Sequence, residues 1–341
     1  MLAADPHNLD AEANLGVLLF FARDYAGAAP YLRDAVAQKP DLTKIRALLG
    51  LAEKSLGQAS EARADLQAVL PQLSEPGIRV QAGLALVELE VATQDLDSAA
   101  ATVALLREVA PTDPRVLYTA YRIATDQASE AMLSLSVAAP ESAQMHQAMA
   151  HELERTRDIP ATIINLRKAA EIDPSLPGIH YELAEALHES DDTKLRAEAE
   201  SQYKLALEQN PGDAHAAAAL GDFAVEKGDL ASGATFYRQA LASDPHLADA
   251  SIGMAMIATR KGDDAGAARM LEGVVAADPT NTLAHFRLST VYRKLGQADN
   301  AKRELEAYQH YKDLRERLRA IYKQMRQDTP NADAASKSGD K

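Results

Sequence analysis

The stretch Leu220-Gly-Asp-Phe-Ala-Val-Glu-Lys-Gly-Asp-Leu-Ala-Ser-Gly-Ala-Thr-Phe-Tyr-Arg-Gln-Ala-Leu-Ala-Ser-Asp-Pro245 decides the fold. Leu220-Gly221 sits midway along a first helical pattern, and Gly228-Asp229-Leu230 interrupts it. Gly233, Tyr237 and Ala240 then recur at spacings of four and three, one face of a second helix. Asp244-Pro245 closes it, since proline cannot continue a helix. A small residue facing a large one allows two antiparallel backbones to cross closely. A glycine at the break tolerates a left-handed backbone.

The same grammar runs through the chain. Prolines closing such patterns stand at 6, 40, 111, 140, 174, 211, 245 and 279. The intervals 6–40, 140–174, 211–245 and 245–279 are each 34 residues. Leu15-Gly16 is followed by Ala28, Leu32 and Ala35. Leu49-Gly50 is followed by Ala62, Leu66 and Val69, and Leu288-Ser289 by Ala301, Leu305 and Tyr308. Periodicity of this length signals stacked supersecondary units, about nine of them.

Composition agrees. Of 341 residues 47% are hydrophobic but only 5% aromatic, with no Trp, which favours packed helices over a β-sandwich. Cysteine is absent, excluding disulfides, thiolate metal sites and Cys nucleophiles. A net charge of −14 argues against nucleic-acid binding over most of the surface. No apolar run approaches the ~20 residues of a membrane span.

The pattern resembles the tetratricopeptide repeat (TPR) family, in particular bacterial multi-repeat members, over residues 1–313. The resemblance implies an all-α solenoid of helix–turn–helix units forming a right-handed superhelix. It also implies a concave groove lined mainly by the first helix of each unit.

Several departures carry expectations. Met1–Pro6 reads as the end of a truncated repeat, so a signal peptide or further domain is expected upstream, and the compartment, bacterial cytoplasm or periplasm, stays open. In the third unit Leu86-Val87 replaces Leu-Gly, and Gln94 stands where glycine is usual. The unit 111–140 lacks five residues, apparently from the turn after Asp126, and is expected to be degenerate. Three extra residues within Ser190–Arg196 are expected to lengthen a turn. An amphipathic helix over 302–327 carries Leu305, Tyr308, Tyr311, Leu314, Leu318, Ile321 and Met325 on one stripe. Eight Lys/Arg against four Asp/Glu over 302–326 make it basic. It is expected to cap the last repeat, with self-association or a basic docking site for an acidic or membrane partner as the alternatives. Residues 328–341 read as a disordered tail.

No chemistry is encoded. Phosphate-binding loops, dinucleotide fingerprints and nucleophile elbows are missing. His146 and His151 diverge around a helix, and Arg155 occupies the place of a second zincin histidine. His180 and His188 share a face without a third ligand. Asp191-Asp192 and Asp263-Asp264 read as solvated turns. No enzyme activity, metal or cofactor is therefore expected. Some members of the family clamp chaperone C-termini with Lys, Asn and Arg. The comparable positions here hold Ala13, Val17, Leu48, Gln81 and Ala85, so that clamp is absent.

The groove positions change sign along the chain. Tyr181, Glu182, Glu185, His188, Glu189, Asp222 and Glu226 come first, and Arg260, Phe286, Arg287, Arg293 and Lys294 follow. Small Ala218, Ala219 and Gly253 are expected to leave room for an apolar anchor. The resulting expectation is a non-catalytic scaffold that binds a protein or peptide segment. Two alternatives are the interaction portion of a larger TPR-linked enzyme, such as a glycosyltransferase, and an envelope-assembly adaptor.

Overall fold

The computed structural model describes residues 8–190 and 192–328, with side chains to Ile321 and at Gln324. The readings of Met1–Pro6, of Asp191 and of the tail beyond Asp328 lie outside the described residues. The described residues contain 17 α-helices and one short 3-10 turn, Leu70–Gln72. The fold is all-α.

The chain forms two compact units, split after Pro140. In the first, α1 (Leu9–Phe21) pairs with α2 (Tyr25–Gln38), α3 (Thr43–Ser55) with α4 (Ala59–Val69), and α5 (Pro76–Ala92) with α6 (Leu96–Val109). A single helix α7 (Pro114–Ala138) follows. The second unit holds five hairpins. They are α8 (Ala143–Thr156) with α9 (Ile159–Ile172), α10 (Ile179–Glu189) with α11 (Thr193–Gln209), and α12 (Ala214–Glu226) with α13 (Leu230–Ser243). Then come α14 (Ala248–Arg260) with α15 (Asp264–Ala277), and α16 (Thr282–Lys294) with α17 (Ala298–Asp328).

Short polar side chains start the helices. Asp24, Asp95, Asp158, Asp229 and Asp263 cap five second helices by accepting the N–H three residues on. Asn8, Ser142, Asp213 and Asn281 do the same for first helices. These bonds satisfy backbone donors that a helix start otherwise leaves open. Asp263 of the Asp263-Asp264 pair is thus a cap as well as a turn residue. The turns close through a left-handed residue: Gly57, Gly228, Gly262 and Gly296, but also Arg23, Gln94 and Arg157.

In the second helix of most hairpins a recurrent triplet spaced four and three is buried, whereas in α17 Leu305 of the corresponding triplet is exposed. Ala28, Leu32 and Ala35 are inaccessible, as are Ala62 and Leu66 and, in the second unit, Tyr237 and Ala240. Leu32 sits over Gly16, where a methyl group would come within 2.8 Å of it. Apolar clusters run continuously between neighbouring hairpins of a unit, as a stacked array requires.

Two expectations need correction. The five-residue deletion does not distort a hairpin; it abolishes one. Thr125-Asp-Gln-Ala-Ser-Glu130 contains neither Gly nor Pro, so the helix continues for 25 residues as α7. Tyr121 also occupies the position of Gly16, Gly50 and Gly221, ten residues after the preceding proline, and blocks a close crossing. Eight hairpins and one long helix stand where nine hairpins were expected. The three extra residues near Ser190 lengthen α11, which has 17 residues against 14 in α13 and α15.

The C-terminal helix begins earlier than the sequence suggests. Its first part is the second helix of the last hairpin, and it runs on without a break. Tyr308 packs on Phe286 at 5.4 Å and Tyr311 stacks on His285 at 5.7 Å. Arg315 donates to Thr282 at 3.1 Å and to the Thr280 carbonyl at 3.2 Å. Leu305, Leu314, Leu318 and Ile321 remain about half exposed, so of the stripe it is Tyr308 and Tyr311 that pack on the last hairpin.

Two predictions follow from the backbone and core. A non-glycine residue at positive φ carries strain of roughly 1 kcal/mol. Gln94→Gly and Arg157→Gly should each raise the unfolding free energy obtained from chemical denaturation by up to about 1 kcal/mol, whereas Gly228→Ala should lower it. Glu90 is buried, with Oε1 accepting from Thr102 and Oε2 unpartnered. Burial pushes its carboxyl above the ordinary 4.5, so the fold favours the protonated form. That stabilisation is complete below the ordinary value and is lost as pH rises through the raised one. Glu90→Gln should therefore raise the melting temperature more at pH 8 than at pH 4.

Candidate functional site

The first helices of the second unit present matching positions one repeat apart. Glu185, Asp222, Met256 and Thr290 occupy one register; Glu189, Glu226, Arg260 and Lys294 another; Tyr181, Ala218, Ile252 and Phe286 a third. Contacts between successive first helices confirm the adjacency. Gln147 donates to Glu182 at 3.0 Å, and His151 Nε2 lies 3.0 Å from the other Glu182 oxygen. Arg260 donates to the Val225 carbonyl at 3.3 Å.

At the acidic end α8, α9 and α10 enclose a cavity of about 270 Å³. Its apolar wall includes Ile159, Leu166 and Ala186, and its polar rim includes His151, Glu154, Tyr181, Glu182, Glu185 and Glu189. The Tyr181 ring is 6.1 Å from Tyr203, and His188 lies 5.3 Å from Phe223. At the basic end α14, α15 and α16 enclose a second cavity of about 180 Å³. Met256, Leu271 and Val291 form its floor, and Arg260 and Arg287 its charged rim. Phe286 and Arg293 stand outside both cavities: Phe286 is half exposed against Tyr308, and Arg293 donates to Thr290 at 3.2 Å.

The inner carboxylates are held from behind. The Tyr203 hydroxyl donates to Glu185, and the Tyr237 hydroxyl donates to Asp222 at 2.5 Å. Burial raises both phenols far above their ordinary value, so they stay protonated as donors. Asp222 is itself raised, first by loss of hydration; the charges of Asp249 and Glu226 add to this, and the Tyr237 hydrogen bond opposes it. Glu226 is exposed, one turn along from Asp222 in this acidic run.

The expected apolar vacancy is filled. Ala218 is buried, and a methyl group on Gly253 would fall 2.2 Å from the Tyr237 ring. Tyr237 passes between Gly221 and Gly253, so the anchor space belongs to the protein itself.

Two of the histidines have structural roles. His180 Nε2 lies 3.1 Å from the Pro174 carbonyl and His285 Nε2 lies 2.9 Å from the Pro279 carbonyl, pinning equivalent turns. Their Nδ1 atoms meet Gln202 at 2.7 Å and Glu304 at 2.6 Å. Among the described residues no group of three or more His, Cys, Asp or Glu could hold a metal ion, and no helix is long and apolar enough to cross a membrane.

Residues 258–325 match the tetratricopeptide repeat family. The match runs from the end of α14 through α15 and α16 into most of α17. Similar solved structures include the MamA protein, at 17% identity and a TM-score of 0.42 over 51% of this chain and 93% of that one. YrrB, described as a TPR protein with an unusual peptide-binding site, shows 16% identity and a TM-score of 0.42 over 53% and 92%. The APC/C hetero-tetramer Cut9-Hcn1 shows 12% identity and a TM-score of 0.48 over 89% and 74%. No function passes from any of them to this chain. Among curated proteins none matches. Repeats of this family are in general protein-interaction modules.

Sequence reading missed Gln147, His151 and Glu154 at the acidic cavity. The signal was present, because His151 stands 34 residues before Glu185, in the same repeat register. That reading placed Tyr237 only on the packing face of its helix and did not single out Tyr203. Tyr237→Phe should cost about 1 kcal/mol in urea unfolding, the net worth of one intramolecular hydrogen bond, with the helical circular dichroism unchanged.

Proposed function

We propose that the chain is a non-catalytic scaffold that binds an extended protein segment along the first helices of its second unit. The observation that carries this reading is the pair of cavities in one repeat register with opposite charge. Glu182, Glu185 and Glu189 edge one, and Arg260 and Arg287 edge the other. The ligand presents basic side chains to the acidic cavity, Asp222 and Glu226. Acidic side chains face Arg260, Arg287 and Arg293.

Apolar contacts supply affinity and charges supply orientation. Tyr181 at the acidic cavity, beside His188, and the half-exposed Phe286 are the aromatic anchors, since buried aromatics dominate binding energies. Charge complementarity acts mainly on the encounter rate and weakens as salt shortens the Debye length to about 8 Å.

A peptide array probed with the full chain tests this. Bound peptides should be enriched in segments with basic residues at one end and acidic residues at the other. Glu185→Lys combined with Asp222→Lys should slow association roughly tenfold at low salt, and Phe286→Ala should speed release. Arg287→Glu should reverse the preference at the acidic end of the peptide. Binding that survives all three changes, or that is lost on substitution of exposed residues of α11 and α13 instead, overturns the reading.

A further inference from the structure

Helix α7 carries the marks of a second helix without the partner that such a helix has elsewhere. Ala128, Met132 and Leu135 stand 12, 8 and 5 residues before Pro140. Gly233, Tyr237 and Ala240 stand at the same offsets before Pro245, and Ala28, Leu32 and Ala35 before Pro40. Those six residues are buried, whereas Ala128 is exposed and Met132 and Leu135 are only half covered. In the hairpins the covering surface is the preceding first helix. Here both segments form one rod of 25 residues, about 37 Å long at 1.5 Å per residue, and cannot fold on each other.

The free face of α7 is a seam. Leu117, Tyr121, Ala124, Ala128, Ala131 and Leu135 alternate spacings of four and three, the period that lets two helices mesh over several turns. Tyr121 is 63% exposed and Leu117 46%, while Val116 and Ile123 on another side of the helix are buried within the first unit. The charged residues Arg122, Asp126 and Glu130 lie more than about 100° around the helix from this seam. None of the three has an ion-pair partner among the described residues, and none interrupts the apolar face.

Reversed end for end, the seam complements itself. A two-fold axis at Asp126 sets Leu117 against Leu135, Tyr121 against Ala131, and Ala124 against Ala128. Each level then holds either two leucines, a large residue with a small one, or two alanines that let the backbones close. Tyr118 flanks this seam on the side of Met132, and the same reversal brings the two together. Parallel pairing would instead set Tyr121 on Tyr121 and leave three successive levels filled by alanine alone.

We propose that α7 pairs antiparallel with α7 of a second copy, so that the chain is a homodimer joined through its fused helix. One helix pair buries area near the lower end of specific interfaces, roughly 1,200 Å², enough for a reversible dimer.

Sedimentation velocity of the full chain between 1 and 100 µM should show a monomer–dimer equilibrium. Ala128→Glu should leave a monomer of unchanged helicity, while Leu133→Glu, on the opposite face, should leave the dimer intact. The absence of cysteine makes the register readable. Leu117→Cys and Leu135→Cys chains should form a disulfide when mixed and neither should form one alone. A monomer at 100 µM, a dimer that persists in Ala128→Glu, or self-linkage of Leu135→Cys would overturn the proposal.

Discussion

The whole array depends on how closely the two helices of a hairpin cross. A methyl group on Gly50 would sit 2.8 Å from Leu66, and one on Gly221 would sit 2.5 Å from the Tyr237 ring. Real side-chain carbons do not approach so closely, so a larger residue would force Leu66 or the Tyr237 ring to move. The same position holds Ala150, Ala184, Ala255 and Ser289 elsewhere, so the crossing admits only small residues. Tyr237 shows why the constraint propagates. Its ring lies against Gly221 of its own hairpin and against Gly253 of the next. One side chain thereby fixes both the pairing within a hairpin and the stacking between hairpins. A 34-residue period is the sequence record of keeping those contacts aligned.

The fused helix marks where that constraint lapses. Tyr121 stands at the crossing position, and the turn that would have returned the chain is missing. The last buried residues of the first unit include Val116 and Ile123, and the second unit opens its own core with Ala143 and Ala150. Solenoid cores are sums of neighbour contacts, so one missing hairpin divides the array into separately packed pieces.

Much of this was legible in the residues. Proline spacing located the hairpins, and the triplets located their buried faces, because both reflect local backbone and packing rules. One deletion and one insertion stand out against the repeat, but their structural effect does not follow from their place in it. Helix continuation at Thr125–Glu130 and at Thr193 depends on what is absent, a breaker, and deviation from a repeat pattern does not reveal that. Gln94 was legible as a replacement for glycine, and it keeps the left-handed backbone of the residue it replaces. The candidate face was legible as a ladder of charges. Its bracing was not, because a tyrosine read as core filling gives no sign of where its hydroxyl emerges.

That bracing makes the two ends of the face physically unlike. Glu185 and Asp222 each receive a hydroxyl from a buried tyrosine, and Glu182 is held by Gln147 and His151. Their positions are set before any ligand arrives, and a carboxylate keeps further lone pairs after accepting one bond. Part of the ordering cost of binding is already met by the fold. The basic end is built from long side chains. Arg260 reaches a backbone carbonyl and Arg293 a threonine, and Arg287 has no acidic partner among the described residues. Arginines held this loosely can follow an acidic group over several ångströms, whereas the braced carboxylates demand a cation at a fixed place. A segment lying on this face would be registered by its basic residue, and the arginines would tolerate variation in where its acidic residue falls.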